Sequence, residues 1–146
     1  MKNLIMLTLL IFGMQAQAAT ASVILKSVTF VGFAPPSVAG KYTTQILSNG
    51  SVELIDNKDK KTVMLKLSAA ATKNLITKIK SIKMEELQGE DGPGCMDAPS
   101  KMTIANINGQ DVTLKSTMNC IEKSMSSAYE VNEIMDSTES LASRLK

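Results

Sequence analysis

The sequence contains no histidine and no tryptophan, and only two of its 146 residues are cysteines. Without histidine, the chain cannot form a Ser-His-Asp or Cys-His catalytic set, a histidine-ligated zinc site or a histidine-based pH switch. Neither a Gly-x-Ser-x-Gly motif nor a phosphate-binding glycine loop is present. These absences argue against an enzyme. An active site built from a carboxylate pair, or from Ser and Lys residues distant in sequence, stays open as a third alternative.

Aromatic residues and excess charge are also scarce. Aromatic side chains make up 3% of the chain, and the formal net charge is +2. Nucleic-acid binding usually needs a basic surface with stacking aromatics, so we expect no nucleic-acid partner. The core must therefore be built from Ile, Leu, Val and Met, with Met acting as an adaptable filler.

Residues 1–18 have the pattern of a cleaved secretory signal peptide. Lys2 provides the positive start, residues 4–12 form the apolar stretch, and Ala16-Gln17-Ala18 is a small-x-small cleavage site. The stretch is too short for a permanent transmembrane helix, which needs about 20 apolar residues. We expect residues 19–146 to form a single exported domain, periplasmic or secreted from a bacterium, with no integral membrane span.

Export determines how the two cysteines, Cys95 and Cys120, are interpreted. Disulfides form and persist in the compartments that exported proteins reach. The alternative, a pair of reactive thiols, lacks the Cys-x-x-Cys spacing that tunes a thiolate. The sequence therefore predicts a structural disulfide between Cys95 and Cys120.

Hydrophobic periodicity and turn signals predict an α+β fold. The apolar positions alternate in five or six short segments, and Asn-Gly pairs at 49–50 and 108–109 favour hairpin turns. We expect a single antiparallel sheet of about five or six strands, a meander plus a second hairpin, with two helices packed on one face and one disulfide. The predicted strands are 21–33, 41–47, 51–55, 62–67, 101–107 and 110–116, and the predicted helices are 69–83 and 128 onward.

Local signals add detail to this fold. Prolines follow the first strand, which predicts that it is an edge or entry strand of the sheet. Ser68 is the expected cap of the first helix, and Ser127 with Glu130 forms a capping-box pattern at the second. Alternation predicts one common face for Val63, Leu65 and Leu67. The apolar stripe expected on the second helix comprises Ala128, Val131, Ile134, Met135, Thr138, Leu141, Ala142 and Leu145.

Two groups of residues are candidate metal ligands. Glu90, Asp91 and Asp97 lie in a Gly- and Pro-rich loop near Cys95, and clustered carboxylates suit calcium. The competing interpretation is a solvated turn in which Asp97 bonds to local backbone. The second group is sulfur near the two cysteines, which suits Cu(I) but is also what core-filling methionines provide. Its members are Met96, Met102, Met118 and Met125.

Two other features are candidate binding elements. Phe33, Pro35 and Pro36 lie in an apolar, proline-stiffened loop, and a preorganised loop loses less entropy on binding. Its alternative role is a simple connection between two strands. Tyr129 falls on the polar side of the second helix, where an exposed tyrosine is either a contact residue or ordinary surface.

The sequence thus favours a small, exported, non-catalytic binding domain, such as an inhibitor or an envelope accessory protein. Its expected partner is an envelope or extracellular protein, and no cofactor is expected. The main alternative is a periplasmic metal-binding domain that uses calcium at the acidic loop or, less favoured, copper at Met and Cys. No motif in the sequence identifies the partner.

Overall fold

The computed structural model describes residues 20–32, 39–95 and 98–145, so the expected signal peptide lies outside the described residues. The described part contains β-strands, two α-helices and a 3-10 helix. The strands are β1 (Val23–Val31), β2 (Gly40–Leu47), β3 (Ser51–Ile55), β4 (Lys61–Lys66), β5 (Ser100–Ile107), β6 (Gln110–Met118) and β7 (Ile121–Ser124). The helices are α1 (Ala69–Lys80) and α2 (Tyr129–Arg144), and the 3-10 helix Ser126–Ala128 precedes α2.

The strands form one antiparallel 7-stranded sheet in the order β4-β3-β2-β1-β5-β6-β7. The predicted α+β architecture, with a meander and a second hairpin, is confirmed, and β7 is one strand more than expected. Of the two roles predicted for the first strand, edge or entry strand, the edge position is wrong. β1 pairs with β2 on one side and with β5 on the other. The prolines come after the strand, so every backbone amide within it can donate a hydrogen bond to a neighbouring strand.

One apolar row crosses the sheet beneath the helices. Leu25 of β1 pairs with Ile46 of β2 and with Ala105 of β5, and all three side chains are 0% exposed. The helices complete this core with four buried side chains, Leu75, Ile79, Val131 and Met135. Both helices therefore cover the same face of the sheet, as predicted.

The two helices begin in different ways. The Ser68 hydroxyl accepts a hydrogen bond from the Ala71 amide at 3.1 Å, which confirms the predicted cap of α1. The capping box predicted at α2 is wrong. Glu85 instead accepts hydrogen bonds from the Ser127 amide and the Ser126 hydroxyl, while the Ser127 hydroxyl donates to the Lys83 carbonyl. A partner distant in sequence has replaced the local one.

The buried arc of α2 is narrower than the stripe predicted from sequence. Val131, Met135 and Ala142 are buried, whereas Leu141 and Leu145 are 54% and 61% exposed. Leu141 projects at the flank of the arc, since successive residues turn by about 100°, whereas Leu145 follows the last residue of α2. No helix within the described ranges is long and apolar enough to span a membrane.

Candidate functional site

The predicted disulfide is confirmed, and it holds the loop before β5 against the β6–β7 turn. Cys95 and Cys120 are bonded with a Cα–Cα distance of 5.5 Å, and the Cys95 amide donates to the Asn119 carbonyl at 2.8 Å. Asn119 and Cys120 form the turn with φ angles of 51° and 62°. A cysteine in this left-handed region is unusual, and at Cys120 it coincides with the disulfide.

The acidic loop is engaged by a lysine. The Asp91 carboxylate accepts a hydrogen bond from Lys123 at 2.6 Å, and this bond lowers the pKa of Asp91 below its ordinary value. Glu90 is exposed, and Asp97 lies outside the described residues. Within the described ranges, no group of three or more acidic or cysteine side chains is placed to hold a metal ion.

The sulfur atoms of the copper candidates lie in different environments. Both cysteine sulfurs are in the disulfide. Met125 is buried in the core with 6% exposure, whereas Met118 is 57% exposed. Met102 is half-buried on β5, and Met96 lies outside the described residues. The three described thioethers therefore differ in exposure, and neither cysteine sulfur is a free thiolate.

Of the candidate binding residues, only Tyr129 lies within the described part of the chain. Phe33, Pro35 and Pro36 lie outside the described residues. Tyr129 is 66% exposed at the start of α2, as expected from its position on the helix. It borders a shallow concavity of about 370 Å³ whose other lining groups include Ser81 and Ser127. Lys78 and Glu130 form an ion pair at this rim and hold α1 to α2.

A network of charges lies between α2 and the sheet. Lys101 of β5 contacts Asp136 at 2.8 Å and also pairs with Glu139. Lys115 of β6 contacts Asp136 and Glu122, each at 3.2 Å. Burial lowers the pKa of both lysines, but their carboxylate partners outweigh it and hold each pKa above its ordinary value. Both lysines are therefore ammonium ions at neutral pH, which cannot act as general bases.

Two hydroxyls close to this network are inaccessible. Ser27 and Thr103 are register partners on β1 and β5, and each is 1% exposed. Thr103 pairs in turn with Lys115 of β6. A nucleophilic hydroxyl needs access to substrate, and neither of these hydroxyls has it. We therefore interpret this polar layer as structural.

The network leads to a prediction about acid stability. Burial raises the pKa of Asp136, but Lys101 and Lys115 lower it by more, so the net shift is downward. A carboxylate with a lowered folded-state pKa stabilises the fold above its unfolded-state pKa, and this contribution is lost as the pH falls below about 4. We expect Asp136→Asn to lower the free energy of unfolding by about 1 kcal/mol at pH 7, because the pair is partly solvated.

Urea unfolding followed by circular dichroism at pH 7 and pH 3 tests this prediction. The difference between Asp136→Asn and the wild-type protein should shrink at pH 3. Glu133→Gln is the matched control, since Glu133 is an exposed carboxylate on the same helix with no ion pair within the described ranges. An equal loss in the two variants at pH 7 would show that the network contributes nothing specific.

The two edges of the sheet differ in their protection. At β7, the amide and carbonyl of Ser124 both bond to Gln88 at 2.9 Å. Gly89, the residue after Gln88, lies so close to β7 that a Cβ placed on it would be 2.2 Å from the Glu122 carbonyl oxygen. At β4, no backbone group of the described residues outside β3 bonds to the strand. A free strand edge is a template for pairing with another chain.

A bulge turns one apolar side chain of β4 away from the core. Leu65 pairs with Val52, but Val63 pairs with Glu53, the next residue along β3. Met64 is the extra residue, so Val63 and Leu65 lie on opposite faces of the sheet. The predicted common face of Val63 and Leu65 is therefore wrong. Val63 is 64% exposed at the free edge.

A concavity with both polar and apolar lining residues lies beside this edge. Its volume is about 440 Å³, and it is bordered by the β3–β4 hairpin and by Leu145, the residue after α2. Its lining residues are Leu54, Asp56, Lys60, Thr62, Val63, Met64 and Leu145. The exposed Leu145, unexpected from the sequence, thus forms part of its wall. We define this concavity together with β4 as the β4 site.

Recognition of an extended peptide typically combines two elements that the β4 site has. Unpaired backbone groups along a strand edge bind the peptide main chain, and a neighbouring pocket receives alternate side chains. The sequence carries a sign of this site, since Lys61 and Lys66 frame the apolar residues of β4. The bulge was the feature that periodicity missed. Comparison of the chain with protein-family models, curated proteins and solved structures finds no match.

Proposed function

We propose that this protein is an exported, non-catalytic binding domain that holds an extended segment of a partner protein along β4. The observation that carries the proposal is the edge of β4, which no other described strand pairs with, beside a concavity of about 440 Å³ whose lining includes Leu54, Val63 and Leu145. The partner's main chain would continue the sheet as an eighth strand, and one of its apolar side chains would fill the concavity.

The rest of the molecule supports this role. The seven strands provide a rigid base, and the disulfide and Gln88 secure the opposite edge, so that pairing is directed to β4. The signal-like pattern of residues 1–18 and the disulfide both favour an exported protein. The partner would then be an envelope or extracellular protein.

Selection from a displayed library of random eight-residue peptides on the immobilised full-length protein tests the proposal. We expect selected peptides to bind Val63→Asn at least about tenfold more weakly than the wild-type protein, because asparagine removes an apolar contact and disfavours a strand. Met84→Asn is the matched control. Val63 and Met84 are each 64% exposed, and Met84 lies outside the β4 site, so this substitution should leave binding unchanged.

Amide hydrogen exchange gives a second readout. A bound peptide that extends the sheet should slow exchange of those β4 amides that point away from β3, because they become hydrogen-bonded. Failure to select any peptide, or selected peptides that bind Val63→Asn as tightly as the wild-type protein, would refute binding at β4.

A further inference from the structure

The charges on β4 indicate what kind of strand the site accepts. Register pairing places Lys61 opposite Ile55, Val63 opposite Glu53 and Lys66 opposite Ser51. Ile55, Glu53 and Ser51 alternate along β3 and lie on one face, so their partners share that face. Along the edge of β4, this face therefore presents Lys61, then Val63, then Lys66.

The two lysines remain available to a ligand. Lys61 contacts Glu53 at 3.0 Å, yet its side chain is 54% exposed, and an ammonium group has three donors. Glu53 is only 8% exposed and also accepts a hydrogen bond from Gln45 at 2.6 Å, so it is satisfied within the sheet. Lys66 is exposed and has no ion pair within the described ranges.

The turn between β3 and β4 has no net charge that would offset the lysines of β4. Residues 56–60 carry two lysines and two aspartates, which cancel. Asp56 is held by its own turn, where its carboxylate accepts hydrogen bonds from the Lys58 and Lys60 amides at 2.8 and 2.9 Å. The positive charge that a ligand strand meets on this face of β4 therefore comes from Lys61 and Lys66.

A second copy of this chain would be a poor occupant. Symmetric antiparallel pairing of β4 with itself about the Val63–Met64 position would place Lys61 of one copy opposite Lys66 of the other, twice. Like charges directly opposite each other on neighbouring strands are destabilising. The same lysines favour a strand that carries carboxylates at the two facing positions.

We infer that the β4 site takes an acidic–apolar–acidic strand of a partner protein, with carboxylates opposite Lys61 and Lys66 and an apolar residue opposite Val63. This inference rests on the proposed function and specifies its ligand. The face of the ligand turned toward α2 would carry an apolar residue for the concavity beside Leu145.

Three capped synthetic peptides on the full-length protein test the inference. They share the sequence Thr-X-Leu-Val-Thr-X-Thr, where X is Glu, Gln or Lys, so that X, Val and X lie on one face of a strand. By fluorescence titration, we expect the Glu peptide to bind at least about tenfold more tightly than the Gln peptide and the Lys peptide to bind more weakly still. The Glu preference should fall with added salt.

Lys66→Gln and Lys73→Gln form a matched pair. Each removes one exposed lysine, but Lys73 lies on α1, away from the β4 site. Lys66→Gln should reduce the Glu-over-Gln preference at least about threefold, and Lys73→Gln should not change it. Equal binding of the Glu and Gln peptides, or no binding of any of the three, would overturn the acidic ligand.

These experiments distinguish failure of the acidic-ligand inference from failure of the proposed function. If library-selected peptides lose affinity for Val63→Asn but show no preference for acidic residues, β4 binds strands and the charge inference is wrong. If those peptides are insensitive to Val63→Asn, the site itself is wrong. Dimerisation of the wild-type protein that Val63→Asn abolishes, measured by sedimentation, would identify a second copy as the occupant and overturn the inference.

Discussion

Replacing Cys95 and Cys120 together by serine is expected to lower the free energy of unfolding by about 3.5 kcal/mol. The two residues are separated by 25 positions, so the bond removes the entropy of a loop of that length from the unfolded chain. Small domains are stable by only about 5–15 kcal/mol, which makes this a large fraction of the total. Urea unfolding monitored by circular dichroism measures the loss.

A second double variant separates the bond from the backbone strain at Cys120. Serine at position 120 keeps a side chain at a φ of 62°, whereas glycine adopts that region without steric cost. Cys95→Ser with Cys120→Gly should therefore be more stable than the double serine variant by about 1 kcal/mol. A loss below about 1 kcal/mol in the double serine variant would show that the bond contributes little.

The disulfide lies far from the β4 site in the sheet. Cys120 precedes β7 at one edge, and β4 is the opposite edge, with five strands between them. Under conditions where the reduced protein stays folded, peptide binding at β4 should be unchanged. The disulfide would then stabilise the domain without forming part of its binding surface.

Local sequence signals predicted most of the fold because they act over short distances. The Ser68 cap and the two Asn-Gly hairpins each depend on residues close together in the sequence. The central position of β1 depends instead on pairing with β5, which begins at Ser100. No local pattern in residues 23–31 indicates that partner.

The features missed from the sequence share a physical cause. The strand β7 follows a turn whose second residue is Cys120 at positive φ, a position that turn rules assign to glycine or asparagine. The bulge at Met64 reverses an alternation that is otherwise regular. In both places, tertiary bonds or packing hold a backbone conformation that the local residues do not favour. The β4 site was missed for the same reason, since it depends on the bulge.

Gly50→Ala is expected to lower the free energy of unfolding by about 3 kcal/mol. Gly50 has a φ of +84°, where a side chain costs about 1 kcal/mol. A Cβ at this position would also lie 2.6 Å from the Thr72 hydroxyl oxygen and 2.9 Å from the Leu67 carbonyl oxygen. Overpacking of this kind adds about 1–3 kcal/mol.

Gly50 also joins three elements, which limits how far the structure can relax. Its amide donates to Leu47 at 2.8 Å and its carbonyl accepts from Leu67 at 2.8 Å, so the β2–β3 hairpin is tied to the start of α1. Moving the loop away from the new methyl group would stretch these bonds. The Thr72 hydroxyl, in turn, is held by the Ser68 carbonyl at 2.9 Å.

Gly109→Ala provides the matched control, because Gly109 has the same φ of +84° and nothing within 4 Å of an added Cβ. It should cost only the backbone term of about 1 kcal/mol. Urea unfolding of the two variants measures the difference, and equal losses would show that the contact at Gly50 relaxes freely. Adding Thr72→Ala to Gly50→Ala should recover part of the loss, since it removes the nearer oxygen. The Leu67 carbonyl would remain and keep the recovery incomplete.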